Sequence, residues 1–150
     1  MSAANSGAIE LRTHSSIREI GRAAWQCLGD QTTPPFLRYE WLEALETTGC
    51  VSPESGWLPL FLSLWCDGEL LGAAPAYLKG HSMGEFVFDQ SWARFAEENL
   101  GIAYYPKLVI AVPFTPATGP RMLVDAAVLA RQGHGLERIY AAFREGEVGS

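Results

Sequence analysis

The sequence contains little cysteine: three residues among 150, at positions 27, 50 and 66. They are far apart, and none forms a C-x-x-C pair or combines with histidine at metal-ligand spacing. The three histidines are equally scattered. We therefore expect no zinc site, and we interpret Cys27, Cys50 and Cys66 as reduced, mostly buried thiols in a cytoplasmic protein.

Basic residues and long hydrophobic runs are also scarce. Lysine and arginine number 11 against 17 aspartates and glutamates, with no basic run, and the formal net charge is −6. This balance argues against a nucleic-acid clamp. The longest apolar run, 57–66, is about half the length of a membrane-spanning helix. Residues 1–7 lack the features of a signal peptide and are expected to form a disordered leader, so no membrane insertion is predicted.

The common catalytic motifs are absent as well. No nucleophile elbow, phosphate-binding loop, dinucleotide fingerprint or zinc-protease motif occurs. Ser82 and Cys66 are the nearest nucleophile candidates, but a loop serine and a core thiol are the more common interpretations. The composition is nevertheless that of one globular domain with a sizeable core.

The residue pattern of the first part of the chain predicts a strand and two helices. Residues 9–13 form the expected strand, and Ser16 with Glu19 forms a capping box. Apolar residues at helical spacing then continue to Leu28. A second amphipathic helix follows over 37–45 and ends at Thr48 and Gly49. Tryptophans on the apolar faces of the predicted elements are expected in the core: Trp25, Trp41, Trp57 and Trp65.

A β-hairpin is the clearest β signal. Apolar runs at 57–65 and 70–78 flank Asp67-Gly68, a favoured two-residue turn. The small residues and proline at 72–75 predict a bulge or a close approach of two backbones. Residues 85–89 alternate as a third antiparallel strand, with Asp89 as a cap for the helix that follows.

The remaining elements complete a mixed order of helices and strands. We expect a helix over 91–100, a strand over 102–112 and helices over 126–131 and 136–143. Residues 122–124 suit either a short strand or a helix lead-in. The predicted fold class is α+β (mixed α/β), with a central antiparallel meander flanked by helices.

Polar residues at the ends of the predicted strands are the candidate site. A glutamate or aspartate there is able to act as a general base for an amine, which makes Glu85 and Asp89 the candidate catalytic residues. His81, Trp92, Tyr105 and Lys107 are candidate substrate-binding residues. Taken singly, each also suits a solvated turn or a helix cap, so the hypothesis depends on their clustering.

A proline-rich segment follows the predicted strand over 102–112. Pro113, Pro116 and Pro120 each fix φ and remove a backbone donor. Such stiffness suits a site that holds Thr115, Thr118 and Arg121 beside Lys107. The two cations would then bind a phosphate or carboxylate. The alternative is a strand followed by a rigid connector.

Much of the chain resembles a known family. The strongest motifs are His81-Ser82-Met83-Gly84-Glu85-Phe86-Val87-Phe88-Asp89 with Ser91-Trp92-Ala93, and the segment 104–121. Others lie at 35–37, 41–46, 56–59, 67–68 and 72–79. Together they resemble a bacterial N-acyltransferase family labelled peptidoglycan biosynthesis/recognition, which is related to the Fem-type aminoacyl transferases of the GNAT superfamily.

The resemblance implies a GNAT-like fold and transfer of an acyl or aminoacyl group to an amine. Acyl-CoA or aminoacyl-tRNA would be the donor, a small molecule or muropeptide the acceptor, and no cofactor would be covalently bound. Family members carry two such domains. We therefore expect a GNAT-like domain at 8–124 and, at 125–150, a helical tail that starts a missing second domain, to which tRNA would bind.

Three alternatives remain open at this point. The chain is part of a catalytic enzyme, a non-catalytic recognition module or an inactive fragment of such an enzyme. A sheet edge left exposed by the missing domain would also favour homodimerisation.

Overall fold

The computed structural model describes residues 7–83, 89–133 and 135–148. Its α-helices are, in chain order, α1 (Ile17–Ile20), α2 (Arg22–Leu28), α3 (Tyr39–Thr47), α4 (Gln90–Phe95), α5 (Ala126–Arg131) and α6 (Leu136–Val148). A 3-10 turn, Pro35–Leu37, precedes α3, and a π-helical turn, Ala96–Leu100, extends α4. The strands are β1 (Glu10–His14), β2 (Trp57–Pro59), β3 (Phe61–Cys66), β4 (Glu69–Ala74), β5 (Ala76–Lys79), β6 (Lys107–Ile110) and β7 (Leu123–Val124).

The strands form two sheets that share a long hairpin. One sheet has the order β1-β3-β4-β7, and the other has the order β2-β5-β6. Only Leu60 separates β2 from β3, and only Pro75 separates β4 from β5. The two hairpin arms therefore pass from one sheet into the other. Every pairing between the described strands is antiparallel, which confirms the α+β class.

Strands β6 and β7 lie along the same arm of the hairpin. Lys107 to Ile110 pair with Lys79 to Ala76, while Leu123 and Val124 pair with Ala73 and Gly72. The proline-rich segment 111–122 therefore leaves the sheet edge and returns to it further along. This arrangement places the start of β6 beside the end of β5.

Helices cover both faces of the sheets. The first face packs mainly against α1, α2 and α3, and its buried residues include Ile17, Trp25, Leu42, Phe61 and Tyr77. The second face packs against α5 and α6, and its buried residues include Leu64, Leu71, Leu129, Ile139 and Phe143. Each such side chain contributes about 1.5–3 kcal/mol when it leaves water.

Three glycines, at positions 68, 72 and 21, confirm two of the sequence predictions and correct a third. Asp67 and Gly68 have φ of 50° and 82°, as the predicted two-residue hairpin turn requires. A Cβ added to Gly72 would lie 2.9 Å from the carbonyl oxygen of Leu123, which confirms the predicted close backbone approach. The predicted helix over 16–28 is instead two helices, because Gly21 at φ 89° separates α1 from α2.

Three further predictions need correction. The strand expected over 102–112 is confined to Lys107–Ile110. Cys27 and Cys50 are exposed, so only Cys66 is the buried thiol that we expected. Trp41 is 47% exposed rather than in the core, whereas Trp25 and Trp57 are buried. Of the predicted strand 85–89, all but Asp89 lies outside the described residues.

Candidate functional site

A polar cluster forms where β5 ends, β6 begins and α4 starts. Ser82 follows β5, Asp89 precedes α4, and Tyr104 and Tyr105 lead into Lys107, the first residue of β6. We call these five residues the Asp89–Lys107 cluster. The antiparallel register of β5 and β6 brings these chain ends together.

The Asp89 carboxylate is the centre of this cluster. Lys107 Nζ donates to Asp89 Oδ2 at 2.6 Å and to the Tyr104 hydroxyl at 2.9 Å. The Tyr105 hydroxyl donates to Asp89 Oδ1 and is also hydrogen-bonded to Ser82 Oγ. The Asp89 and Lys107 side chains are 16% and 29% exposed, so the ion pair is largely shielded but still accessible.

Both members of the ion pair are charged at neutral pH. Burial alone would raise the pKa of Asp89, but the hydrogen bonds from Lys107, Ser82 and Tyr105 hold it well below its usual range. Burial would likewise lower the pKa of Lys107, and the bonds to Asp89 and Tyr104 raise it instead. Because a carboxylate of low basicity is a poor proton acceptor, this geometry favours a positioning role for Asp89.

Two tyrosine rings flank the Lys107 ammonium. Nζ lies 4.1 Å from the Tyr104 ring centroid and 5.2 Å from that of Tyr105, within the range of cation–π attraction. The two rings meet edge to face, with centroids 5.0 Å apart. Burial and the nearby Asp89 carboxylate raise the pKa of Tyr105, so its hydroxyl remains a donor. The cluster thus presents an ammonium and hydroxyls in a fixed arrangement.

Asp89 does not cap α4 with its side chain. It occupies the N-cap position, but its carboxylate bonds to Lys107 and Tyr105 rather than to a helix amide. The predicted cap is therefore wrong, because the Lys107 ammonium offers the carboxylate a stronger, charge-assisted partner than a neutral helix amide.

Two other predicted site residues, His81 and Trp92, are not among the contacts of the cluster. His81 Nε2 lies 3.3 Å from the Glu54 carbonyl, and its Nδ1 accepts from Met83 N. Trp92, on α4, is 68% exposed. Glu85 lies outside the described residues.

Arg121, Thr115 and Thr118 belong to the proline-rich segment, away from the contacts of Lys107. Arg121 donates to the carbonyls of Ala117, Gly119 and Pro120 within its own loop. Its guanidinium also lies 5.0 Å from the Phe36 ring centroid. Thr115 Oγ1 donates to the Pro113 carbonyl, and Thr118 is exposed.

Lys107 and Arg121 therefore share no contact partner among the described residues. The loop carbonyls and Phe36 hold the arginine, while Asp89 and Tyr104 hold the lysine. Among the described residues no contact joins the two cations, and their shared binding of an anion stays a prediction.

Ser82 and Tyr104 were placed by the sequence at the ends of predicted strands, but neither was given a substrate-binding role. In the structure Ser82 is hydrogen-bonded to Tyr105, and Tyr104 accepts from Lys107. Their positions beside His81 and Tyr105 were the sequence signal that pointed to them.

A second polar group, which the sequence did not reveal, lies at the edge of β1. His14 Nε2 is 2.6 Å from Ser63 Oγ, and His14 Nδ1 is 3.6 Å from Glu19 Oε2. The sequence of contacts Glu19–His14–Ser63 resembles a catalytic triad. However, Ser63 is 0% exposed and also accepts a hydrogen bond from Trp65 Nε1 at 2.8 Å. A buried hydroxyl with both partners satisfied is a structural element rather than a reactive group.

The residues described by the structure contain no group of three metal-ligating side chains. Within the same ranges, no helix has the length and apolarity needed to cross a membrane.

The fold and the cluster together define an α+β domain with a small polar site at one sheet end. A model of the FemAB-like family, described as peptidoglycan biosynthesis/recognition, matches residues 16–146. Since this match spans most of the chain, the protein belongs to the FemAB-like family. Comparisons with curated proteins and with solved structures gave no significant match.

Proposed function

We propose that this chain binds the acceptor in a reaction that transfers an acyl or aminoacyl group to an amine of a peptidoglycan precursor. The family relationship supports the peptidoglycan-related role. The Asp89–Lys107 cluster is the observation that carries the proposal, because it holds an accessible ammonium and two phenols in a fixed arrangement. Acyl-CoA or aminoacyl-tRNA is the proposed donor.

Each residue of the cluster has a distinct proposed role. Lys107 and the Tyr104 hydroxyl bind a carboxylate or carbonyl oxygen of the acceptor, since a charged donor makes the stronger hydrogen bond. Asp89 holds Lys107 and Tyr105 in place as a positioning residue. Trp92 on the adjacent helix offers an exposed aromatic surface, which suits an acceptor with a large apolar or sugar face.

One observation favours recognition without catalysis as the second candidate function. The Asp89 carboxylate has a lowered pKa and is already paired with Lys107, so it is poorly suited to deprotonate an amine. In this alternative the chain binds the wall precursor, and chemistry needs groups that the cluster does not supply.

Separate titrations of a soluble muropeptide, acetyl-CoA and an aminoacyl-tRNA, followed by mass spectrometry of the mixtures, distinguish these functions. An acyltransferase binds the muropeptide and one of the two donors and yields an acylated or aminoacylated muropeptide. A recognition module binds the muropeptide alone and yields no product. Binding of none of these compounds would overturn both proposals.

Substitution of Lys107 tests the site itself. Lys107→Gln removes one charge-assisted hydrogen bond, so muropeptide affinity should fall about tenfold or more. Arg131→Gln is the matched control, because Arg131 forms only an exposed ion pair with Glu69 outside the cluster. Thermal melts of both variants show whether the fold is retained. Unchanged affinity in a folded Lys107→Gln variant would refute the assignment.

A further inference from the structure

An open cavity lies between α2, the 3-10 turn and α3. Its volume is about 550 Å³. We call it the α2–α3 cavity, and its lining includes Trp25, Gln26, Asp30, Arg38, Glu40 and Leu123. None of the predicted site residues and none of the Asp89–Lys107 cluster lines it. Its volume is in the range typical of pockets that bind small molecules.

The floor of this cavity is apolar. Trp25, Leu37, Tyr39 and Leu123 line it and are all buried, with exposed fractions of 1%, 0%, 5% and 6%. The Trp25 indole nitrogen donates to the Leu37 carbonyl at 2.8 Å, so its polar atom is already satisfied. A ligand that rests on this floor must therefore present an apolar surface.

The acidic side chains of the rim already have donors within the protein. Glu40 Oε1 accepts from Gln26 Nε2 at 3.0 Å and from the Arg22 guanidinium. Asp30 Oδ1 accepts from the amide and the hydroxyl of Thr32, at 2.7 and 2.6 Å. These contacts neutralise or occupy both carboxylates.

Arg38 is the unmatched charge of the rim. It immediately precedes α3, and its exposed side chain makes no hydrogen bond or ion pair with any described residue, although its backbone bonds to Pro35, Trp41 and Leu42. A guanidinium presents a planar fork of donors that fits a carboxylate with two parallel hydrogen bonds. Thr32 hydrogen-bonds the Asp30 carboxylate without neutralising it, so Asp30 would oppose a second negative charge on the ligand.

We infer that the α2–α3 cavity binds a small monocarboxylate that carries one apolar group, such as an N-acylated aromatic amino acid. The apolar group occupies the floor over Trp25, and the carboxylate pairs with Arg38. The inference does not depend on the proposed function, because the cavity and the cluster share no residue.

Nuclear magnetic resonance titration of the intact chain with N-acetyl-L-phenylalanine tests this inference. We expect saturable shifts at the Trp25 indole N–H and the amides of residues 29–33. The matched ligand N-acetyl-L-phenylalaninamide, which lacks the carboxylate, should bind at least tenfold more weakly. Equal affinity for the acid and the amide, or shifts confined to residues 104–107, would overturn the inference.

The matching protein variants are Arg38→Gln and Arg94→Gln. Arg38→Gln should weaken N-acetyl-L-phenylalanine binding at least tenfold and leave the melting temperature unchanged, because the side chain has no partner in the described structure. Arg94→Gln removes an exposed arginine from α4, outside the cavity, and should bind normally. Equal weakening in both variants, or tighter binding of inorganic phosphate than of the acid, would contradict the assignment.

Discussion

At the scale of single residues, the chemistry of the site depends on how side chains share partners. The Asp89 carboxylate accepts from Lys107 Nζ and the Tyr105 hydroxyl, and this arrangement keeps both Asp89 and Lys107 charged. The sequence placed Asp89, Tyr105 and Lys107 near one another because they flank predicted strands. It could not show that the Asp89 carboxylate would bond to Lys107 rather than to the helix amides, because that pairing depends on the register of β5 and β6.

His14 should make the stability of the fold depend on pH. Burial lowers the pKa of His14, an effect that Glu19 partly offsets. The unfolded chain, with a histidine pKa of about 6.5, therefore takes up a proton before the folded chain does. The contribution of neutral His14 to the free energy of unfolding is therefore fully present above pH 6.5, and it should decrease as the pH falls toward 5.5.

Urea unfolding of the wild type and His14→Gln over pH 7.5–5.5 measures this effect. The wild-type free energy of unfolding should decrease with falling pH more steeply than that of His14→Gln. His81→Gln is a suitable control, because His81 lies in a loop away from Ser63 and Glu19. Parallel profiles for wild type and His14→Gln would rule out the assignment to His14.

At the scale of secondary structure, the hairpin is the element that positions the site. Its turn was predictable, since Asp-Gly favours the positive φ that both residues adopt. The interruptions at Leu60 and Pro75, by which both arms change sheet, were not predictable because they depend on pairing with β1, β6 and β7. The break at Gly21 was missed for a different reason: apolar spacing alone does not report φ.

Strand β4 approaches β7 closely at Gly72, which leaves no room there for a larger residue. Gly72→Ala places a Cβ 2.9 Å from the Leu123 carbonyl oxygen, so β7 must shift. We expect a loss of about 1–3 kcal/mol in the free energy of unfolding. Gly80→Ala is the control, because its added Cβ meets no atom within 4 Å. Equal stability of the two variants would show that β7 is not held as described.

At the scale of the whole molecule, the general plan was predictable and the placement of distant segments was not. Alternating and helical patterns gave the α+β class and most elements. The return of segment 111–122 to the sheet edge separates Arg121 from the contacts of Lys107, and no local pattern reports such a return. The α2–α3 cavity is equally invisible in sequence, because Trp25, Arg38 and Leu123 meet only after folding.

We propose that the Asp89–Lys107 cluster binds a peptidoglycan-derived acceptor. Amide shift mapping with a soluble muropeptide, on the wild type and on Lys107→Gln, is the decisive measurement. In the wild type we expect saturable shifts at the amides of Tyr104, Tyr105 and Lys107 and near Ser82, and in the variant about tenfold weaker binding. Shifts of equal size and affinity in both proteins, or unmoved amides at all three residues, would rule it out.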